Sequence, residues 1–125
     1  MKFRYARHTR NLEPLQWFYT SVLGMEVLGS FQDHDGYDGI FIGLSGKDWH
    51  LEFTQNSDQP HQVWDEDDLL VFYPESVLQY QEILKRAEAS ELQKEIAKNP
   101  YWKTNGVLLR DPDGFGVMIC DQHAK

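Results

Sequence analysis

At 125 residues, 41% hydrophobic and 14% aromatic, the chain is long enough for one domain with its own core. A formal charge of −8 sets it against the phosphates of nucleic acid and of anionic membranes, so neither is expected as a partner. No apolar run approaches the ~20 residues of a membrane span, residues 1–20 carry charges throughout, and the one cysteine, Cys120, excludes an internal disulfide; the expectation is a cytoplasmic protein without a signal peptide.

Residues 2–9 alternate weakly and read as a first strand with Arg4, Ala6 and His8 on one face. Asn11 offers an N-cap and Pro14 falls in the first helical turn. Leu12, Leu15, Phe18, Tyr19 and Val22 recur at helical spacing until Gly24 stops them. Met25 to Phe31 reads as a strand, and Asp33 to Gly39, with two Asp-Gly pairs, as a turn. That turn resembles a calcium loop only superficially, because it lacks the regular ligand spacing and the terminal glutamate. Ile40 to Leu44 and Trp49 to Gln55 are strands around the turn Ser45 to Asp48. In Trp49 to Gln55, His50, Glu52 and Thr54 share the face opposite the large apolar groups.

Residues 56–68 lose all periodicity and read as a solvated linker. Leu69 to Tyr73 is then a strand. Ser76 and Gln79 form a capping box before a helix that places Val77, Tyr80, Leu84 and Ala87 on one face. Leu92 to Ile96 reads as a short strand and Asn99 to Gly106 as a loop. Val107 to Arg110 and Phe115 to Asp121 are strands joined by Asp111-Pro112-Asp113-Gly114. Strand, helix, three strands thus occurs twice at an offset of about 66 residues, visible in order and spacing more than in identity. Under it Glu52 falls on Met118, and Arg4 near Leu69. The predicted fold class is α+β: two βαβββ modules in a single domain, module 1 over about 1–57, a linker over about 58–67 and module 2 over about 68–125.

Trp17 to Met25, His50 to Thr54 and Asp111 to Gly114 together resemble the vicinal oxygen chelate superfamily, which includes glyoxalase I, bleomycin-resistance proteins and extradiol dioxygenases. The resemblance covers nearly the whole chain, and Phe31 to Leu44, His50 to Gln55, Leu69 to Tyr73 and Asn99 to Gly106 are similar to its uncharacterised YycE-like branch. It implies paired βαβββ modules with a cupped mixed sheet and, as in much of the superfamily, a homodimer. Metal enzymes of the superfamily take one ligand from each of four strands. Carried over, those positions are Arg4, Glu52, Leu69 and Met118, of which Glu52 alone matches. An arginine has no lone pair to give, and a thioether is a poor ligand for hard cations. The resemblance therefore implies no metal cofactor. The alternative is a divalent Zn, Ni, Mn or Fe in a centre rearranged around His8, His50 and Glu52.

Arg4 and Glu52 are expected to form a buried, bidentate ion pair in place of the metal, with Arg4 able to clamp a ligand carboxylate or phosphate. Glu52 and His50 are the catalytic candidates, since imidazole and carboxylate together can carry acid–base chemistry. Tyr101 and Trp102 read as pocket walls on a loop, and Tyr73 as another wall by alternation from Leu69. Arg4, His8, His50, Glu52, Leu69, Tyr73, Trp102 and Met118 make up the predicted ligand pocket. Cys120 reads as an inert packing thiol. Two functions stand open. One is a metal-free binder of a small, flat molecule, for which the acidic charge suits a cation stacked on Trp102 and Tyr73. The other is a glyoxalase- or dioxygenase-type enzyme with an altered centre.

Overall fold

The computed structural model describes residues 1–121, and the chain divides into two units, Met1–Gln62 and Val63–Lys125. The division falls inside the predicted linker.

The first unit runs β1 (Phe3–His8), α1 (Leu12–Trp17), a π-helical turn (Phe18–Val22), β2 (Glu26–His34), β3 (Tyr37–Gly43) and β4 (Trp49–Gln55). Asn11 caps α1 as its sequence suggests, its side chain accepting from the Glu13 amide at 3.1 Å. A second orphan donor, the Leu12 amide, finds Gln55 Oε1 at 2.8 Å, which ties the helix start to the end of β4. The predicted helix over 12–22 changes pitch at Phe18. The wider turn is closed by Leu23 N donating to Phe18 O at 3.2 Å, and the Thr20 hydroxyl donates to Gln16 O at 2.6 Å. This widening brings Phe18, Tyr19 and Val22 into the core together, all with no exposed surface.

The four strands form a mixed sheet in the order β1-β4-β3-β2, with β1 parallel to β4 and the other pairs antiparallel. One face is apolar under α1: Ile40, Ile42, Leu51 and Phe53 are buried, and Tyr19 stacks on Phe53 with ring centroids 5.1 Å apart. The predicted turn over Asp33 to Gly39 shrinks to Asp35-Gly36. The flanking residues pair His34 with Tyr37, and both turn residues take the positive φ that a two-residue hairpin requires.

The second unit runs β5 (Leu69–Phe72), α2 (Val77–Ala89), α3 (Pro100–Lys103), β6 (Gly106–Arg110) and β7 (Gly116–Cys120), with sheet order β5-β7-β6. Ser76 caps α2 by accepting from Gln79 N at 3.0 Å, while Gln79 Oε1 accepts from the Glu75 amide. Two expectations need correction. Leu92 to Ile96 is not a strand, because only Glu95 pairs with the sheet, in a single bridge to Leu108. Asn99 to Gly106 is not simply a loop: Asn99 accepts from Tyr101 N at 3.0 Å and starts the short helix α3. Asp111 holds the β6–β7 turn by accepting from the amides of Asp113 at 2.9 Å and Phe115 at 3.2 Å, so the Asp-Pro-Asp-Gly motif is structural.

The repeat is legible in strand register. In the first unit Arg4 lies opposite His50 and Ala6 opposite Glu52; in the second, Leu69 lies opposite Gly116 and Val71 opposite Met118. Glu52 and Met118 therefore hold equivalent places. No helix among the described residues is long and apolar enough to cross a membrane.

Candidate functional site

The face of the first sheet turned away from α1 carries the polar groups. Alternation puts Arg4, Ala6 and His8 of β1 beside His50, Glu52 and Thr54 of β4, and Phe41 of β3 opposite Glu52. Arg4 Nη1 lies 3.1 Å from Glu52 Oε1, and Arg4 Nε donates to His50 Nε2 at 3.1 Å. Since Nε2 accepts, the ring proton of His50 resides on Nδ1. The guanidinium also lies over the Phe41 ring, 5.4 Å from its centroid, and His50 meets that ring edge-on at 5.6 Å.

The ion pair differs from the buried, bidentate one expected. It makes one contact, the second donor having gone to His50, and the Arg4 side chain is 53% exposed against 14% for Glu52. A half-solvated pair of this kind contributes only ~0.2–1 kcal/mol. Arg4 is therefore held in place but cheaply redirected. Lys2, Arg4, Leu28, Phe41 and His50 line a pocket of about 280 Å³ against this face. Lys2, Leu28 and Phe41 escaped the sequence reading. Only the register opposite Glu52 singles Phe41 out from its apolar neighbours Ile40 and Ile42.

His8 lies on the same face but looks toward the linker. Its Nε2 is 3.0 Å from Asn56 Oδ1, and its Nδ1 is 2.9 Å from Thr54 Oγ1. Because Asn56 Oδ1 also accepts from the Asp58 amide at 2.9 Å, it is an acceptor and His8 carries its proton on Nε2. This histidine fastens the first residues after β4. Among the described residues no three His, Cys, Asp or Glu side chains form a group that could hold a metal ion.

The equivalent face of the second unit is dry. Met118 is fully buried with Ala97, Leu108 and Cys120, and Leu69, Val71 and Trp102 pack against that cluster. Trp102 is thus placed on the core by α3, in edge-to-face contact with Tyr101 at 4.8 Å. Tyr73, 53% exposed, follows β5 and donates its hydroxyl hydrogen bond to Cys120. Burial pushes the Cys120 thiol up, only partly offset by that hydrogen bond, and the Tyr73 phenol is also raised, first by desolvation and then by Cys120.

Both groups hold their protons more tightly folded than unfolded. Their contribution to stability is complete below the unfolded thiol range of about 8.5 and is lost as pH rises through the folded values. Melting temperature is accordingly expected to fall from pH 8 to 10, less steeply in Cys120→Ala. In the native protein Cys120 should resist a thiol reagent at pH 8 and react once denaturant is added. Rapid native labelling would contradict the burial.

Comparison with known proteins fits this architecture. The YycE-like N-terminal domain matches residues 3–54, and the YycE-like C-terminal domain matches residues 67–121. The chain belongs to the YycE-like family. The uncharacterized protein YycE of Bacillus subtilis (strain 168) is 36% identical over 125 residues, covering 96% of this chain and 87% of its own. The crystal structure of a YycE protein of unknown function from Bacillus subtilis superposes with a TM-score of 0.84 at 34% identity, covering 99% of this chain and 91% of that one. Glyoxalase I of Leishmania major, described as trypanothione-dependent, gives a TM-score of 0.73 at 20% identity over 95% of this chain and 84% of its own. That likeness establishes the fold, the glyoxalase/bleomycin-resistance fold, and nothing about chemistry. For the YycE-like chain, then, what its site does rests on its own side chains.

Proposed function

We propose that this YycE-like protein is a metal-free binder of a small, flat anionic molecule, held on the open face of its first unit. The guanidinium of Arg4, fixed over Phe41 by Glu52 and His50, supports this reading most strongly. The acceptors a divalent cation would need, Glu52 Oε1 and His50 Nε2, both face a permanent positive charge. Leu69 and Met118, at the other two positions carried over from the superfamily, offer no oxygen or nitrogen donor. The donor set does not fit a metal.

What the same geometry does fit is a carboxylate or phosphate. Arg4 keeps Nη2 and an exposed edge, and Lys2, which pairs with no described residue, lines the same pocket. An aromatic or otherwise flat body would lie on Phe41 and Leu28. Local charge thus favours an anion, where the net charge alone suggested a cation.

Two measurements test the reading. Titration with Zn, Ni, Mn and Fe(II) should give no stoichiometric binding; tight binding abolished by Glu52→Gln would overturn the metal-free reading. A thermal-shift screen of small aromatic acids should yield ligands whose affinity falls about tenfold or more in Arg4→Met, the scale of one charge-assisted hydrogen bond. Affinity unchanged by Arg4→Met would leave the Arg4–Glu52 pair a purely structural filling.

A further inference from the structure

The second unit builds a guanidinium site of its own. Across the first sheet one row of paired residues reads Arg4, His50, Gly43; the equivalent row across the second reads Leu69, Gly116, Arg110. The arginine has changed flank, but the construction around it recurs. Arg110 Nε donates to Glu95 Oε1 at 3.2 Å, its Nη1 reaches Gly114 O at 3.5 Å, and its guanidinium lies 4.8 Å from the centroid of the Trp64 ring. Gly116 makes room for it, since a Cβ there would sit 3.1 Å from Arg110 Nη1. In both units a carboxylate orients the guanidinium and an aromatic ring supports it.

Around Arg110 lies a pocket of about 370 Å³ that also takes Lys98 and Lys103 into its wall, together with Glu66 and Glu95. Glu95 is engaged by Arg110, whereas Lys98 and Lys103 make no hydrogen bond or ion pair with any described residue. Arg110 Nη2 has no described partner either. Three cationic groups thus face one small volume with a single carboxylate, Glu66, uncommitted, in a protein whose net charge is −8. Two mobile ammonium groups and a rigid fork are the donors that a compact oxyanion uses.

We infer that Lys98, Lys103 and Arg110 form a second ligand site, for a small oxyanion of the carboxylate or phosphate class. The site lies wholly within the second unit and does not depend on the reading given for Arg4.

The test is an amide and indole NMR titration of the full chain with sodium phosphate and, separately, with sodium acetate, each against sodium chloride at matched ionic strength. Saturable shifts of the Lys98 and Lys103 amides and of the Trp64 indole are expected with one or both anions. Which anion saturates tells a tetrahedral from a planar ligand. Affinity should fall about tenfold or more in Lys98→Gln/Lys103→Gln, both exposed positions whose replacement is expected to leave the melting temperature within a few degrees of the parent's, and should be unaffected by Arg4→Met. The inference is overturned if neither anion saturates beyond chloride, if the double variant binds as well as the parent, or if Arg4→Met removes the effect.

Discussion

Replacing Met118 by glutamate is expected to destabilise the protein by about 3–5 kcal/mol and to create no metal site. The substitution puts a carboxylate where metal enzymes of the superfamily carry one. Here that place is fully buried among Ala97, Leu108 and Cys120, under Leu69, Val71 and Trp102. None of those side chains carries a charge to pair with it. The new carboxyl would hold its proton well above the usual carboxylate range. Stability lost relative to the parent should therefore grow as pH rises from 5 to 8, as the unfolded chain gains from ionising and the folded one does not. Chemical denaturation at three pH values measures it. A variant as stable as the parent at pH 8 would mean that the cluster opens to water, and the dry description of this face would be wrong.

Truncating Phe53 to alanine is expected to cost about 3–5 kcal/mol, the range for emptying a large aromatic from a closed core. Phe53 has no exposed surface. It stacks on Tyr19 from the π-helical turn on one side, and Arg7 lies over its ring at 5.1 Å. Its removal deprives the first unit of the contact that docks α1 and the π-helical turn on the sheet. Since Phe53 points away from Arg4 and His50, no direct contact of the proposed pocket is lost. Equilibrium unfolding gives the cost, and ligand affinity at a temperature where the variant is folded gives the separation. Affinity lost in proportion to stability would show that the two faces are not independent.

Much of this fold was written in alternation and capping. The strand Trp49 to Gln55 was legible because its apolar and polar residues alternate without a break, and α1 and α2 announce themselves by their caps Asn11 and Ser76. The segment from Leu92 to Gly106 was not. Its apolar residues suggested a strand, but a strand exists only where a neighbour offers a ladder, and here one bridge at Glu95 is all that forms. Tertiary contact, with Trp102 drawn onto the Met118 cluster, decides the rest. The site divides likewise. Arg4, His50 and Glu52 followed from strand parity. The roles of Lys2, Phe41, Trp64 and Arg110 depend on which strands adjoin and in what register, and parity within one strand carries no such information. The two bonds that turn His8 toward Asn56 and Asp58 lie in a segment with no period to read.

The two halves of this chain share one register and differ in what covers equivalent positions. Arg4 and Ala6 reach solvent, while Leu69 and Val71 sit half-buried on an apolar cluster closed by Ala97 and Trp102. Positions that match in register and differ in burial differ in what they tolerate. In the first, the sheet face is free to exchange one polar side chain for another at little expense to folding, so new recognition can arise there by single substitutions. In the second, the same positions are committed to the interior, where a polar replacement costs folding stability. A saturation scan would display the asymmetry directly, as tolerance at Arg4 and Ala6 set against intolerance at Met118 and Cys120.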